Sequence, residues 1–400
     1  MKNRRALLLS SLMLRGYGVS VVAHEIAKRS SQYGWDIYIG CLSFDESFSS
    51  DFIIQVGTDP AEVLKQCESL QIDVVIAQTT PYFELLPALT SSIPTIAFEH
   101  GDPSPSFFAE DAEERENIRR NKIANVYPVI SKVLSSSYFL RHDIEWPSAN
   151  VIWLGSDHVH HFGKKTASVT SDEHSKNLSI GTLMRLGSGE ARYKGVELFE
   201  KLIEELHGQP GINFSIMGRG TEEDGERWRS KGVTTYLNAT DDERSQYLRN
   251  LDIFISPSLW EGFNLPLVEA QASGTVGIAF DTGAHPETTP FLLTSIQDAV
   301  SLIKTWTDNR DQLLKASGIS YEFVRAKFKW ETTASQFAHV LDEVIEERLP
   351  KVKFEVVSSR TIWHRAVGLV NRVGLRKAIP IATRRILNRI ARTQENRPTN

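Results

Sequence analysis

The chain has 400 residues, 50 acidic against 45 basic, and is 41% hydrophobic, close to the average for folded soluble domains. That length predicts two or three compact units, and no apolar run approaches the roughly 20 residues that span a bilayer. Two cysteines, Cys41 and Cys67, are too few for a disulfide framework or a thiolate zinc site and fit a reducing compartment, so the cytoplasm is the expected location.

The opening stretch, MKNRRALLLSSLMLRG, has the basic start and short apolar run of a secretory leader in outline. Ser10 and Ser11 interrupt that run, Arg15 closes it, and no small-x-small cleavage site follows, so Ala6 to Leu14 reads as a first buried strand. After the loop GYG comes VSVVAHEIAKRSSQYG, in which Val19, Val22, Ile26 and Ala27 recur at helical spacing. WDIYIGCLSF, DVVIAQ, PTIAFEH, VYPVIS and ANVIWLG then read as further strands of a doubly wound parallel sheet, which places a first Rossmann-like domain at residues 1–160. The polar stretch KKTASVTSDEHSKN (164–177) is the best boundary.

Beyond it the alternation restarts with LSIGTLMR, GVELFEKLIEELHG, NFSIMGRG, DERSQYLRN, LDIFISPS, a helix at Pro266, GTVGIAF and IQDAVSLIKTWTD, a second sheet of the same kind over 161–347. Two such sheets leave a cleft faced by the carboxyl ends of their strands, where open α/β sheets place ligands. Residues 348–400 form a basic tail. Positions 356–394 hold nine Arg or Lys and no Asp or Glu, leaving 36 basic against 50 acidic residues in the rest. Ile362, Trp363, Ala366, Val367, Val370 and Val373 lie opposite Arg365, Arg372 and Arg376, a pattern that fits either an interfacial membrane helix or an ordinary helix packed on the acidic body. Nucleic acid is not expected, because Trp363 has no companion stacking aromatics.

The chemistry concentrates in SLWEGFNLPLVEA (258–270). With LDIFIS as a strand and Pro266 opening a helix, Glu261 falls in the loop and Glu269 in the first helical turn. The N–H groups of Gly262, Phe263, Asn264 and Leu265 then lie near a helix N-terminus, suited to anionic oxygens, and Gly262 allows close approach of a ligand. Carboxylates that accept from hydroxyls beside amides that donate to phosphate suit a phosphorylated sugar, although a first-turn Glu is also favoured by the helix dipole alone. In GTLMRLGSGEARYKGVELFEKL, Lys194 with Arg192 or Arg185 provides cations for a diphosphate leaving group, and MGRG places Gly218 at a third strand end. DHVHHF carries His158, His160 and His161, but without a supporting carboxylate or Cys cluster it reads as a polar strap near the hinge, and no metal site is expected.

SPSLWEGFNLPLVEAQASGT closely resembles the signature of the retaining, two-Rossmann-domain (GT-B) glycosyltransferases of family 4, in which Glu, seven residues and Glu recur. The resemblance covers about residues 5–345 with its pieces in family order: GYG, EHG with His100, VIS with Ser131, WLGSD with Asp157, YKG, MGRG and the Glu-rich stretch. It implies that Glu269 holds the ribose hydroxyls of a nucleotide-diphosphate sugar, and that Glu261 and the following amides face the transferred sugar. Lys194 and an upstream arginine are then expected to clamp the diphosphate, Gly16 and Gly18 to let the first, acceptor-side domain approach it, and His100 to stand near the donor sugar and acceptor. The implied activity is metal-independent, retaining transfer to a glycan or lipid-linked acceptor in cell-surface polysaccharide synthesis, with no cofactor and with docking at a membrane surface through residues 356–394. Thr182 occupies the place where the family's arginine usually follows the glycine, so Arg185 and Arg192 stay open as alternatives, and Asn264 stands where Gly is commoner. A non-catalytic sugar-nucleotide-binding regulatory subunit and a sugar-nucleotide epimerase are the rival readings.

Overall fold

The computed structural model describes residues 3–48, 50, 52–108, 110–159, 177–186 and 192–348. The cationic tail beyond Arg348, most of the 164–177 boundary stretch, His160 and His161 lie outside them.

The first half runs β1 (Arg4–Met13), α1 (Gly18–Ser30), β2 (Trp35–Phe44), β3 (Ile53–Gln55), α2 (Pro60–Leu70), β4 (Val74–Ala77), α3 (Tyr82–Leu89), β5 (Thr95–Glu99), α4 (Ala112–Asn121), β6 (Lys132–Ser135), α5 (Tyr138–Asp143) and β7 (Asn150–Val151). Its seven strands are parallel in the order β3-β2-β1-β4-β5-β6-β7, with Leu9 of β1 opposite Gly40 on one side and Ala77 on the other. The run Ala6-Leu7-Leu8-Leu9 is apolar throughout because both faces of a parallel sheet are covered. Ala6 and Leu8 enter one core with Val22 and Ile26 of α1; Leu7 and Leu9 enter the opposite core with Leu86 of α3.

The second half continues β8 (Leu178–Leu183), α6 (Val196–Glu205), β9 (Ile212–Gly218), α7 (Glu222–Arg229), β10 (Thr234–Leu237), α8 (Asp241–Asn250), β11 (Ile253–Ser256), α9 (Leu265–Ala272), β12 (Val276–Phe280), α10 (His285–Thr288), β13 (Phe291–Leu293), α11 (Ile296–Asp308), α12 (Arg310–Lys327) and α13 (Trp330–Arg348). Its sheet order is β10-β9-β8-β11-β12-β13, again parallel. Thr221 and Thr240 start α7 and α8 with reciprocal capping boxes, each hydroxyl taking the N3 amide while the N3 carboxylate returns to the cap. Two parallel sheets with flanking helices are the fold class that the sequence predicts.

Three expectations change. VYPVIS is not a strand: the chain continues from α4 as a wide helical turn over Lys122–Val126, passes through Pro128, which has no N–H to give a ladder, and re-enters the sheet only at Lys132. In ANVIWLG only Asn150 and Val151 pair. The assignment of residues 330–347 to the second half also differs from the packing. Trp330, Phe337, Leu341 and Val344 of α13 bury their apolar stripe in the first half's core, beside Ile26 and Trp35. The seam is sewn by Asp157, which accepts from the Trp330 amide at 2.8 Å, and by the Thr333 hydroxyl, which donates to the Trp153 carbonyl at 2.7 Å. The first half is therefore built from both ends of the described chain.

Candidate functional site

In each sheet the strand order reverses direction beside its first strand, between β1 and β4 and between β8 and β11. Such a switch point opens a crevice at the strands' carboxyl ends. At the first switch lie the 14–17 loop, Gln78 after β4 and, one strand on, His100 after β5. At the second lie Arg185 after β8 and residues 257–264 after β11. The two sets meet: Leu265 packs at Gly18, Arg219 lies against Gly16, and the Arg185 guanidinium stands 4.9 Å from the centre of the Tyr17 ring. Gly16 has φ +70°, a left-handed turn that glycine adopts without strain, whereas Gly18 is the first residue of α1.

The stretch 258–264 is neither strand nor helix because it crosses between the halves. Trp260 is buried in the first half's α3-side core, and Phe263 enters its α1-side core, edge-on to Phe328 at 5.3 Å. Between them Gly262 is required by protein rather than by ligand: a Cβ there would lie 2.3 Å from the His100 carbonyl oxygen. The Gly262 carbonyl in turn accepts from the Ser137 hydroxyl at 2.6 Å. Gly218 is likewise required by protein, since a Cβ there would lie 1.9 Å from the Met184 carbonyl oxygen. Gly262 is thus needed for a contact between the halves, and the backbone amides of 262–265 keep their place at the start of α9.

Asn264 explains its own departure from Gly. It has φ +73°, a region that Asn tolerates, and it caps α9 by accepting from the Leu267 amide. Its Nδ2 donates to Ser256 Oγ at 2.7 Å and to His285 Nε2 at 2.9 Å, while His285 Nδ1 donates to the Phe280 carbonyl at 2.8 Å. Burial lowers the His285 pKa and keeps the ring neutral, as this pattern of one donor and one acceptor requires. The sequence reading missed His285. The helix begins at Leu265, so Pro266 is its second residue and Glu269 belongs to the second turn, too deep for the dipole argument made for a first-turn Glu.

Lys194 and Glu261 come together as anticipated. Lys194 Nζ lies 2.8 Å from Glu261 Oε1, which also accepts from Ser258 at 2.7 Å. Across the seam, His100 Nε2 is 3.1 Å from Gln78 Oε1, and burial pushes the imidazole down to about 3. The residues on either side of His100 are held by a buried cation: Lys122 Nζ meets Glu99 at 3.1 Å and Asp102 at 2.8 Å, and Tyr127 donates to the other Glu99 oxygen at 2.6 Å. Burial opposes the Lys122 charge, but Glu99 and Asp102 outweigh it and raise its pKa; Asp102 is lowered by Lys122 against its own burial.

Glu269 has 0% exposure. Arg244 Nη1 is 3.4 Å from Oε2 and His158 Nε2 is 3.0 Å from Oε1, close enough to attract but off the hydrogen-bond axis, so neither carboxylate oxygen has an aligned donor. Burial opposes ionisation, yet Arg244 and His158 prevail and hold the carboxyl at about 2. His158 is itself set by Trp330, whose indole N–H donates to Nδ1 at 2.8 Å and so leaves the ring proton on Nε2, facing Glu269. The histidine singled out for its metal-like spacing is a partner of the signature carboxylate. Glu25 of α1 adds a second buried carboxylate nearby, held at about 2 by His24, Arg29 and His158 against burial. Of the arginine alternatives, Arg185 stacks on Tyr17 and Arg192 is exposed beside Lys194. Among the described residues no three His, Cys, Asp or Glu side chains converge on a metal position.

Residues 180–307 match the family described as "Glycosyl transferases group 1". The second half is therefore similar to group 1 glycosyl transferase domains. The matched stretch runs from within β8 to the last turn of α11 and includes Lys194, Glu261 and Glu269. The chain is 29% identical over 121 residues to the MMP alpha-(1->4)-mannosyltransferase of Mycolicibacterium hassiacum, covering 28% of this chain and 29% of that protein. It is 27% identical over 177 residues to the lipopolysaccharide core biosynthesis mannosyltransferase LpsB of Rhizobium meliloti, 39% and 50% of the two chains. The match thus spans half or less of each relative. Among solved structures, sucrose-phosphate synthase from Thermosynechococcus elongatus superposes with a TM-score of 0.72 at 14% identity, over 86% of this chain and 100% of that one. Anabaena Alr3699/HepE, solved in complex with UDP and glucose, gives 0.70 at 16%, over 85% and 100%. The matched stretch therefore lies in the second half of a two-domain GT-B fold.

Proposed function

We propose that this chain is a retaining glycosyltransferase of family 4 that moves a sugar from a nucleotide-diphosphate sugar to a glycan or lipid-linked acceptor, without a metal ion, in polysaccharide or glycolipid synthesis on the cytoplasmic side of a membrane. The observation that carries the reading is the convergence at the seam: Glu261 and Lys194, from the switch point of the second half, meet the first half where the His100 carbonyl abuts Gly262. The mannosyltransferases that match part of this chain support the same chemistry.

In this scheme Lys194 leaves Glu261 for the donor diphosphate, joined by Arg185 or Arg192, and neutralises charge that develops on the leaving phosphate. Glu261 is then released to accept from hydroxyls of the transferred sugar. Attack comes from the face the diphosphate leaves, and the departing phosphate oxygen receives the acceptor's proton, which accounts for retention without a protein nucleophile. Glu269 takes the ribose hydroxyls, the donors its oxygens lack; since it is enclosed by Glu25 and His158, donor entry requires the contact between α1 and α9 to part. Residues 356–394 supply the cationic membrane contact.

The test is incubation of the full chain with a panel of nucleotide sugars and sugar acceptors, following nucleotide release and the product's anomeric configuration by NMR. Release that depends on acceptor, with configuration kept, supports the reading. Tight nucleotide-sugar binding without release under any acceptor favours a regulatory subunit, and a sugar isomer formed without acceptor favours an epimerase.

A further inference from the structure

Gln78 closes β4 at the first sheet's switch point and is 2% exposed. Its neighbours settle which way its amide faces. Nε2 lies 3.3 Å from the Val19 carbonyl, which only accepts, so the NH2 group faces Val19 and Oε1 faces His100. An amide oxygen also only accepts. His100 Nε2, 3.1 Å away, must therefore carry the ring proton, and Nδ1 carries the lone pair. We propose that Gln78 is a positioning residue that locks His100 in the Nε2–H tautomer and so offers Nδ1 as a hydrogen-bond acceptor for a hydroxyl of the transferred sugar.

This inference rests on the transfer reading of the cleft for its substrate, though not for the tautomer. The ring also packs against Phe98 with centroids 4.5 Å apart, and the residue's backbone carbonyl lies close against Gly262. Burial favours the neutral imidazole that a tautomer lock presupposes. The charged groups around it are Glu99 and Asp102 on its own segment and Lys122 from the turn after α4, and these neutralise one another in part. Val19 belongs to the first turn of α1, immediately behind Gly16 and Gly18, so the same amide ties the histidine to the loop that meets Arg219 and Leu265. A wrong tautomer at an otherwise intact site disables chemistry while leaving binding in place.

The experiment uses the full chain labelled with ¹⁵N-histidine, with His100 identified by its loss in His100→Gln, and reads long-range ¹H–¹⁵N correlations. The expected spectrum has a protonated Nε2 and a bare Nδ1. Gln78→Leu should convert it to a tautomer mixture and lower kcat roughly 10-fold, the scale of one hydrogen bond to the sugar made in the transition state, with donor KM little changed. Gln78→Glu keeps an acceptor on Nε2, so it should retain the tautomer but add an acid limb to the kcat profile as the carboxylate favours imidazolium. Should Gln78→Leu fail to fold, the wild-type and Gln78→Glu spectra still decide. A wild-type His100 protonated on Nδ1, or a Gln78→Leu protein with wild-type spectrum and kcat, overturns the assignment. If no nucleotide sugar is turned over, the transfer reading fails while the spectra still judge the tautomer.

Discussion

Two buried ion clusters in the molecule look alike in composition and differ in how their hydrogen bonds close. Around Lys122 the ammonium reaches buried Glu99 and half-exposed Asp102, and Tyr127 takes the other Glu99 oxygen, so the buried charges have aligned partners. Around Glu269 the partners lie at 3.0 and 3.4 Å, yet neither oxygen has a donor on its axis. Buried polar groups in native proteins are nearly always hydrogen-bonded, and an exception calls for a cause. The first cluster is complete and serves the fold by bracketing His100. The second is neutralised without being satisfied, the condition expected of a carboxylate whose hydroxyl donors arrive with a ligand.

The largest effect should come from breaking the complete cluster. Lys122→Met leaves Glu99 and Asp102 without their cation and should cost about 3–5 kcal/mol, read as a lower urea midpoint at unchanged m-value. The double variant Glu99→Gln/Lys122→Met should recover part of that loss; no recovery would mean that the lysine stem, not its charge, matters.

In the open cluster the expected loss falls on binding. Glu269→Gln keeps the shape but weakens acceptance from ribose hydroxyls, and donor affinity should drop by about 1.5–3 kcal/mol, roughly 10- to 150-fold. The same clusters separate under acid. Glu269 and Glu25 have folded-state pKa values of about 2, below the ordinary 4.5, so their stabilisation is fully present above about pH 4.5 and is lost as pH falls towards 2. Stability measured across that window should decline, and the slope should be shallower in Glu269→Gln. The smallest effect is Asn264→Gly: glycine accepts φ +73° and caps nearly as well, so thermal stability should shift by only a few tenths of a kcal/mol. A larger loss would give the link to His285 and Ser256 weight of its own.

Much of this was readable from local pattern. IQDAVSLIKTWTD is a helix over the same residues, 296–308, because its apolar spacing, Ser295 cap and Asp298 lie within one segment. WDIYIGCLSF is a strand end to end for the same kind of reason. What escaped depends on distant chain. Trp260 and Phe263 read as part of a ligand loop, but they are buried in the other half's cores, which no local period encodes. Glu269 was legible as a candidate site residue and illegible as an enclosed one, since His158 lies 111 positions before it in the sequence. Gln78 had a usable signal: a polar residue ending an apolar strand where the sheet order reverses. His285 had none, because its partners Asn264, Ser256 and Phe280 are assembled by the turns around β11 and β12.

The central claim is that a nucleotide sugar lies between the halves and supplies the hydrogen bonds Glu269 lacks. Isothermal titration of a nucleotide-sugar panel into the wild-type chain and Glu269→Gln, both folded by circular dichroism, tests it most directly. The account predicts that at least one nucleotide sugar binds the wild type and binds the variant roughly 10- to 150-fold more weakly. Equal affinity for both proteins would contradict it, as would a wild type that takes up none of the panel.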